Sequence, residues 1–276
     1  MPELPEVETV IRGLRAPLIG RRVESFWYDW PRTIASPDPD QFEARIVGQT
    51  FRGIERRAKY IICQLDDDLL IVHLKMTGRL YVTPADAVHN DDRWVHFKLG
   101  LDGDQELRFS DARKFGKVFL ARDFATIGKG AAALGPEPLE DEFTVDVFRE
   151  RLAKRKTSIK ALLLDQSFVA GVGNIYADEA LFRARIHPLR RADSLTADES
   201  AALYETVRAA LRDGIDYEGA SIQWYRKPDG TIGESQEHFF AYGRDGQPCL
   251  NCGTPMSKMR VAQRGTHLCL NCQKLD

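Results

Sequence analysis

The residues whose types and spacing could do chemistry stand near the two ends of the chain. Cys249-x2-Cys252 and Cys269-x2-Cys272 are separated by sixteen residues. Each pair can supply one edge of a tetrahedral zinc site, and the stretch between them is long enough for a β-hairpin. Four thiolates leave no open coordination position, so the spacing predicts one structural zinc ion and no catalytic metal. The tip of that hairpin carries "QRGTH", where Arg264 can reach a phosphate. From spacing alone, a solvated turn arginine is the favoured reading. Cys63 lies in an apolar run and reads as a core residue.

At the other end stands "MPELPEVETV". Proline suits a first helical turn because its missing N–H costs nothing there, and glutamates complement the helix dipole. That explains Pro2, Glu3, Pro5 and Glu6 without catalysis. A second reading starts from trimming of a methionine that precedes a small residue, which leaves Pro2 with a secondary amine. An α-amine has a pKa of ~7.7–8.0, so part of it is unprotonated near neutrality. Such an amine can attack a carbon and form an iminium, with Glu3 and Glu6 donating and accepting protons. From ten residues alone the helix start is favoured. In "AGVGNIYADE", two glycines and Asn174 precede a helical pattern. Helix starts expose unpaired amides and suit an anion, but Asn174 is equally an N-cap. Lys156 and Lys160, on the helical stretch before it, would complete a phosphate clamp.

The elements that must position these groups change along the chain. Val7, Val10, Ile11, Leu14 and Leu18 recur at helical spacing and Gly20 ends the pattern. Short β-like runs follow to about residue 121. "YIICQL" and "LLIVHL" flank "DDD" as a hairpin, and "VHFKLGL" turns at Asp102-Gly103 into "ELRF". Many short strands predict a β-sandwich or barrel. "LGPEPLED" marks a linker, and helical patterns, a Gly-rich loop and the cysteine segment come after it. The fold expected is α+β in two domains. Residues 1–133 form a β-sandwich domain opened by a helix, and 134–218 a helical domain. Residues 219–245 are a loop and connector, and 246–276 the zinc hairpin.

The 276 residues, 43% hydrophobic and 29% charged, suit a globular protein with a substantial core. No apolar run approaches the ~20 residues of a membrane span. The acidic start lacks a signal-peptide pattern, so a cytoplasmic location and no membrane partner are expected. A net charge of −2 argues against a uniformly basic nucleic-acid binder. The basic runs "RRAKY", "ARKFGK", "AKRKTSIK" and "KMRVAQR" matter only if the fold gathers them.

Together "MPELPEVETV", "RRAKY", "HLKMTGRL", "FSDARKFG", "LGPEPL", "KTSIKALLLDQSFVAGVGNIYADEALF", "IHP", "YGRDGQPC" and the four-cysteine segment resemble the formamidopyrimidine-DNA glycosylases over nearly the whole length. The endonuclease VIII group usually opens with Gly where this chain has Leu4 and lacks "ELPEVET". The resemblance implies a β-sandwich, a helix–two-turn–helix module and a zinc-finger hairpin, with damaged double-stranded DNA bound between the domains by a monomer. It implies a bifunctional glycosylase and abasic-site lyase of base-excision repair, in which Pro2 is the nucleophile and Glu3 the general acid. Glu6 is a supporting carboxylate, Lys59 a catalytic lysine, and Arg264 grips phosphate and serves the second elimination. Lys156, Asn174 and His73 match phosphate contacts. Met76, Arg113 and Phe115 match side chains that fill the gap left by a flipped base, although by type alone Met76 and Phe115 are core candidates. Ser221, in the loop 218–236, matches a base contact. Beyond zinc, no cofactor is implied. Where the family commonly has a DNA-contacting histidine, this chain has Trp94. That contact is lost, moved to His96 or His89, or replaced by packing. The alternatives are an endonuclease VIII-like enzyme for oxidised pyrimidines and a non-catalytic DNA-binding protein on the same scaffold.

Overall fold

The computed structural model describes residues 1–90 and 92–275. The chain divides into two units, Met1–Ala133 with Glu218–Gly233, and Leu134–Tyr217 with Glu234–Asp276.

The first unit opens with α1 (Leu4–Leu18), which buries Val7, Val10, Ile11, Leu14 and Leu18. In chain order there follow β1 (Val23–Tyr28), β2 (Ile34–Ser36), α2 (Pro39–Ile46), β3 (Gly53–Arg57), β4 (Tyr60–Gln64), β5 (Leu69–His73), β6 (Gly78–Pro84), β7 (Val95–Leu101), β8 (Gln105–Asp111), β9 (Lys117–Ala121) and the short α3 (Lys129–Ala132). Two sheets form, in the orders β1-β7-β8-β6 and β2-β9-β5-β4-β3. Leu80, Phe97, Leu99 and Phe109 of one sheet share a core with Ile61, Cys63, Leu70 and Val72 of the other and with the apolar stripe of α1. This is the sandwich expected from many short strands. Cys63 is fully buried, and burial pushes its thiol up to about 12. Helix α2 departs from the expectation of β-like runs only. Asp38 caps it and Pro39 occupies its first turn. Only Phe42 and Ile46 reach the core, so its apolar period is too short to read.

The second unit contains α4 (Val145–Ala153), α5 (Ile159–Leu164), α6 (Asn174–Arg183), α7 (Ala197–Asp216), β10 (Ser257–Val261) and β11 (Arg264–Leu268). Helix α6 packs on α5 and α7, and β11 packs on α6. A capping box, Thr196 with Glu199, starts α7. The strands β10 and β11 form an antiparallel hairpin whose two turn residues, Ala262 and Gln263, both have left-handed backbone. Among the described residues, no helix is long and apolar enough to cross a membrane.

Candidate functional site

Met1 is exposed, whereas Pro2, Glu3 and Leu4 behind it are buried. Glu3 is the N-cap of α1, and Glu3 and Glu6 form a reciprocal capping box. The Glu3 backbone N–H donates to Glu6 Oε2 at 2.8 Å. The other oxygen of Glu6, Oε1, accepts from the Ala220 N–H at 2.8 Å. Glu6 therefore binds the first turn of α1 to a segment 214 residues away. Both carboxylates are buried, 3% and 2% exposed, so each depends on such donors to offset its lost hydration.

Lys59 lies at the β3–β4 turn, after Ala58 with φ +53°. Arg56 shapes that turn. Its Nη1 donates to the Ala58 carbonyl at 3.3 Å, and its Nε to Glu8 Oε2 on α1 at 3.2 Å. The turn that carries Lys59 is thus stapled to the helix that carries Glu3. His73 pairs with Tyr60 across β4–β5. Burial first, then the charges of Lys75 and Lys59, push its imidazole down to about 3. Its Nδ1 accepts the Lys75 N–H at 3.0 Å, which leaves the ring neutral with its proton on Nε2. Any phosphate meeting His73 would meet a neutral N–H donor.

Met76, Arg113 and Phe115 stand together at the surface. Met76 is 39% and Phe115 47% exposed. Arg113 Nη1 reaches Met76 Sδ at 3.0 Å, and its guanidinium lies 4.7 Å from the Phe115 ring centre. Their type suggested core; the chain instead spends two large apolar side chains on solvent. Buried Asp111 builds the supporting loop. It accepts from the Thr77 hydroxyl, from the Arg113 N–H at 3.3 Å and from the Gly116 N–H at 2.6 Å. Gly116 is required there, since a Cβ would lie 2.3 Å from the Phe109 ring.

The loop Glu218–Gly233 folds against this unit. Tyr225 enters its core. Burial, and then the charge of Glu6, hold the Tyr225 phenol well above the ordinary tyrosine range. Gly219 has φ +82°, and a Cβ there would lie 3.2 Å from the Cα of Glu6. Only glycine lets the loop approach α1 so closely. Ser221 Oγ accepts the Gly233 N–H at 2.9 Å and closes the stem of the loop.

In the second unit Arg264 is exposed at the first position of β11. The carbonyl of Gly265 beside it is clamped by Asn174 Nδ2 at 2.9 Å and by Lys160 Nζ at 3.2 Å. Lys160 is fully buried and also donates to Asp178 Oδ1 at 2.6 Å and to Thr266 Oγ1 at 2.7 Å. Asp178 Oδ2 in turn accepts the His267 N–H at 2.9 Å. This network locks the hairpin onto α5 and α6. Lys160 therefore serves the hairpin and is no part of a phosphate clamp. Lys156 is exposed, in the connection after α4 and not on a helix. The N-cap of α6 is Gly173, so Asn174 is its first helical residue and not its cap.

The Sγ atoms of Cys249, Cys252, Cys269 and Cys272 lie within 4.8 Å of one another. Two of the separations are 3.9 and 3.5 Å. A tetrahedron of thiolates about 2.3 Å from zinc has edges of about 3.8 Å. The four residues fit one structural zinc ion.

Family models describe all three parts of the chain. The formamidopyrimidine-DNA glycosylase N-terminal domain matches residues 1–118, the helix–two-turn–helix domain of that enzyme 134–226, and a zinc finger shared with isoleucyl-tRNA synthetases 246–275. A formamidopyrimidine-DNA glycosylase of Herpetosiphon aurantiacus is 48% identical over 99% of this chain and 100% of its own length. The chain belongs to the formamidopyrimidine-DNA glycosylase family. That of Geobacillus kaustophilus is 45% identical over 99% of this chain and all of its own. A point mutant of the Lactococcus lactis enzyme, solved with DNA containing formamidopyrimidine-dG, superposes with a TM-score of 0.92 at 36% identity, covering 99% of this chain and 100% of that one. The enzyme of Thermus thermophilus gives 0.88 at 38%, covering 99% and 98%.

In this family member three supporting residues escaped the sequence reading: Asp111, Arg56 and Asp178. Each is charged, and single charged residues in a sequence read as solvated surface. Only "SDARKFG", an aspartate five residues before a glycine, carried a local turn signal for one of them. Trp94 packs edge-on against Trp224, ring centres 5.5 Å apart. His96 pairs with Asp29 at 2.6 Å and His89 with Thr83 at 2.9 Å.

Proposed function

We propose that the protein is a bifunctional glycosylase and abasic-site lyase that removes oxidised purines from double-stranded DNA. The observation that carries this reading is the grouping at one helix start. Pro2 and Glu3 lie at a buried, doubly fastened first turn, and a lysine-bearing hairpin is stapled to the same helix through Arg56. A helix cap alone needs neither the lysine hairpin nor a second fastening.

Removal of Met1 gives Pro2 its amine. The Pro2 nitrogen lone pair forms a bond to the anomeric carbon of the damaged nucleotide. The bond to the base breaks, its pair leaves with the base, and a proton neutralises it. Glu3 supplies the proton that opens the sugar ring at its oxygen, and Lys59, held beside neutral His73, contacts phosphate and assists the early proton transfers. The iminium acidifies the neighbouring sugar protons. Loss of one expels the 3′ phosphate. A second elimination, assigned to Arg264, expels the 5′ phosphate, and water releases the sugar fragment from Pro2. Met76, Arg113 and Phe115 fill the vacated stack, with Arg113 hydrogen-bonding the orphaned base. Lys156, Asn174 and the α6 start hold phosphates, and Ser221 belongs to the loop facing the base. Glu6 fastens the turn and the loop. Zinc supplies rigidity to the hairpin and takes no step. The protein acts as a monomer in the bacterial cytoplasm.

Duplexes carrying 8-oxoguanine opposite cytosine and an oxidised pyrimidine opposite its partner test the reading. Excision of the purine with a one-nucleotide gap bearing phosphate at both ends is expected. Preference for the pyrimidine would move the protein to the endonuclease VIII branch, and binding without cleavage would make it a DNA-binding protein.

A further inference from the structure

The loop Glu218–Gly233 is fastened on two sides by different means. Its inward side is held by Glu6 and by Tyr225 in the core. Trp224, next to Tyr225, stays outside, 47% exposed, with Ile222 and Ile232 exposed on the same loop. The ring it meets is Trp94, at an interplanar angle of 79°. The guanidinium of Arg93 lies 4.1 Å from the centre of the Trp94 ring. Trp94 ends a 3-10 turn, Asp92–Trp94. That turn is rigidly held: Asp92 Oδ1 accepts from Arg108 Nη1 at 3.0 Å, and Asp92 Oδ2 from the His89 N–H at 2.6 Å. Arg108 is itself 3% exposed and donates to the carbonyls of Ala85 and Ala87. A half-exposed indole without a partner would sample many positions. Here it rests on an aromatic ring at the end of a turn that a buried arginine holds through the Asp92 side chain.

We propose that Trp94 is a positioning residue for base release. Through an aromatic clasp with Trp224 it holds the outward side of the loop, as Glu6 and Tyr225 hold the inward side, so the loop lies in one conformation against the turn that carries Pro2 and Glu3. The proposal rests on the glycosylase reading above. Under that reading the loop faces the base through Ser221, so the clasp governs release of the damaged base. A site that has already lost its base gives the loop nothing to hold.

The test uses the full chain and the variants Trp94→Ala, Trp224→Ala, the double variant and Trp94→Phe. Single-turnover rates are measured on an 8-oxoguanine duplex and on an abasic duplex, and hydrogen exchange is followed over residues 219–233. An edge-to-face aromatic pair corresponds to about a two- to tenfold change in an equilibrium. Each alanine variant is expected to slow 8-oxoguanine release by about two- to tenfold and to speed exchange in the loop by a similar factor. The double variant matches the worse single one, Trp94→Phe regains most of the loss, and abasic-site cleavage stays within about twofold of the parent. Multiplicative effects in the double variant, equal slowing on both duplexes, or unchanged loop exchange in Trp94→Ala would overturn the clasp. Failure of the parent protein on both duplexes would instead overturn the glycosylase reading, while the exchange measurement still decides whether the clasp exists.

Discussion

The first turn of α1 and the tip of the zinc hairpin each carry one residue, Pro2 and Arg264, to which we assign a step, and they are made rigid by different means. The first turn is attached to a helix that buries five apolar side chains in a large core, and its carboxylates accept from backbone amides. The hairpin has few apolar residues of its own. Phe182, Ala241, Met256 and two of the cysteines make its small cluster. It is held by four sulfurs and by the buried Lys160–Asp178 pair. A large core fixes geometry through packing, and a small appendix must do so through metal and charge.

The comparison can be broken most severely at the metal. Chelation removes a contribution of about 10–16 kcal/mol to hairpin folding, and Cys252→Ser, which leaves three thiolates, removes part of it. Amide protection over 246–275 should collapse while the two sheets stay protected. Equal loss in both regions would show that the hairpin has no separate means of order. Next in size is Lys160→Met, which leaves the buried Asp178 carboxylate without its lysine at a cost of about 3–5 kcal/mol. Denaturant unfolding should show that loss, and adding Asp178→Leu should recover much of it. Of similar size in the first unit, Glu6→Ala removes two charge-assisted bonds worth about 1.5–3 kcal/mol each. Glu6→Gln should retain the acceptor role in part and fall between the parent and Glu6→Ala in thermal unfolding.

The smallest effect at neutral pH comes from His73. Its folded pKa, about 3, lies below the ordinary value of 6.5. Between those values the unfolded chain binds the proton and the folded one does not. Stability of the first unit therefore falls as pH drops from about 6.5 toward 3, and is unaffected above that window. In His73→Gln this slope should be shallower when urea midpoints are compared across pH. An unchanged slope would mean that His73 is not the buried neutral group described.

Legibility in the sequence followed the range of the interactions. Helix α1, the hairpins β4–β5 and β7–β8, the α4–α7 patterns and the cysteine pairs all rest on periods or spacings within about twenty residues. Lys160 looked like a surface cation because nothing near it in sequence announces Asp178 or Thr266. The exposure of Met76 and Phe115 was hidden for the opposite reason: apolar type predicts burial, and only the turn built by Asp111 turns them outward. The two duties of Glu6 were half visible. Its capping role is local, and its bond to Ala220 spans almost the whole chain.

The central claim is that Pro2 is the nucleophile, and trapping tests it directly. Protein mixed with an 8-oxoguanine duplex is treated with borohydride and digested, and the DNA-linked peptide is identified. The account requires a covalent adduct on residue 2, in chains that have lost Met1, and none when the N-terminus is blocked or extended. An adduct on a lysine side chain, or cleavage of the duplex with no adduct, would contradict it.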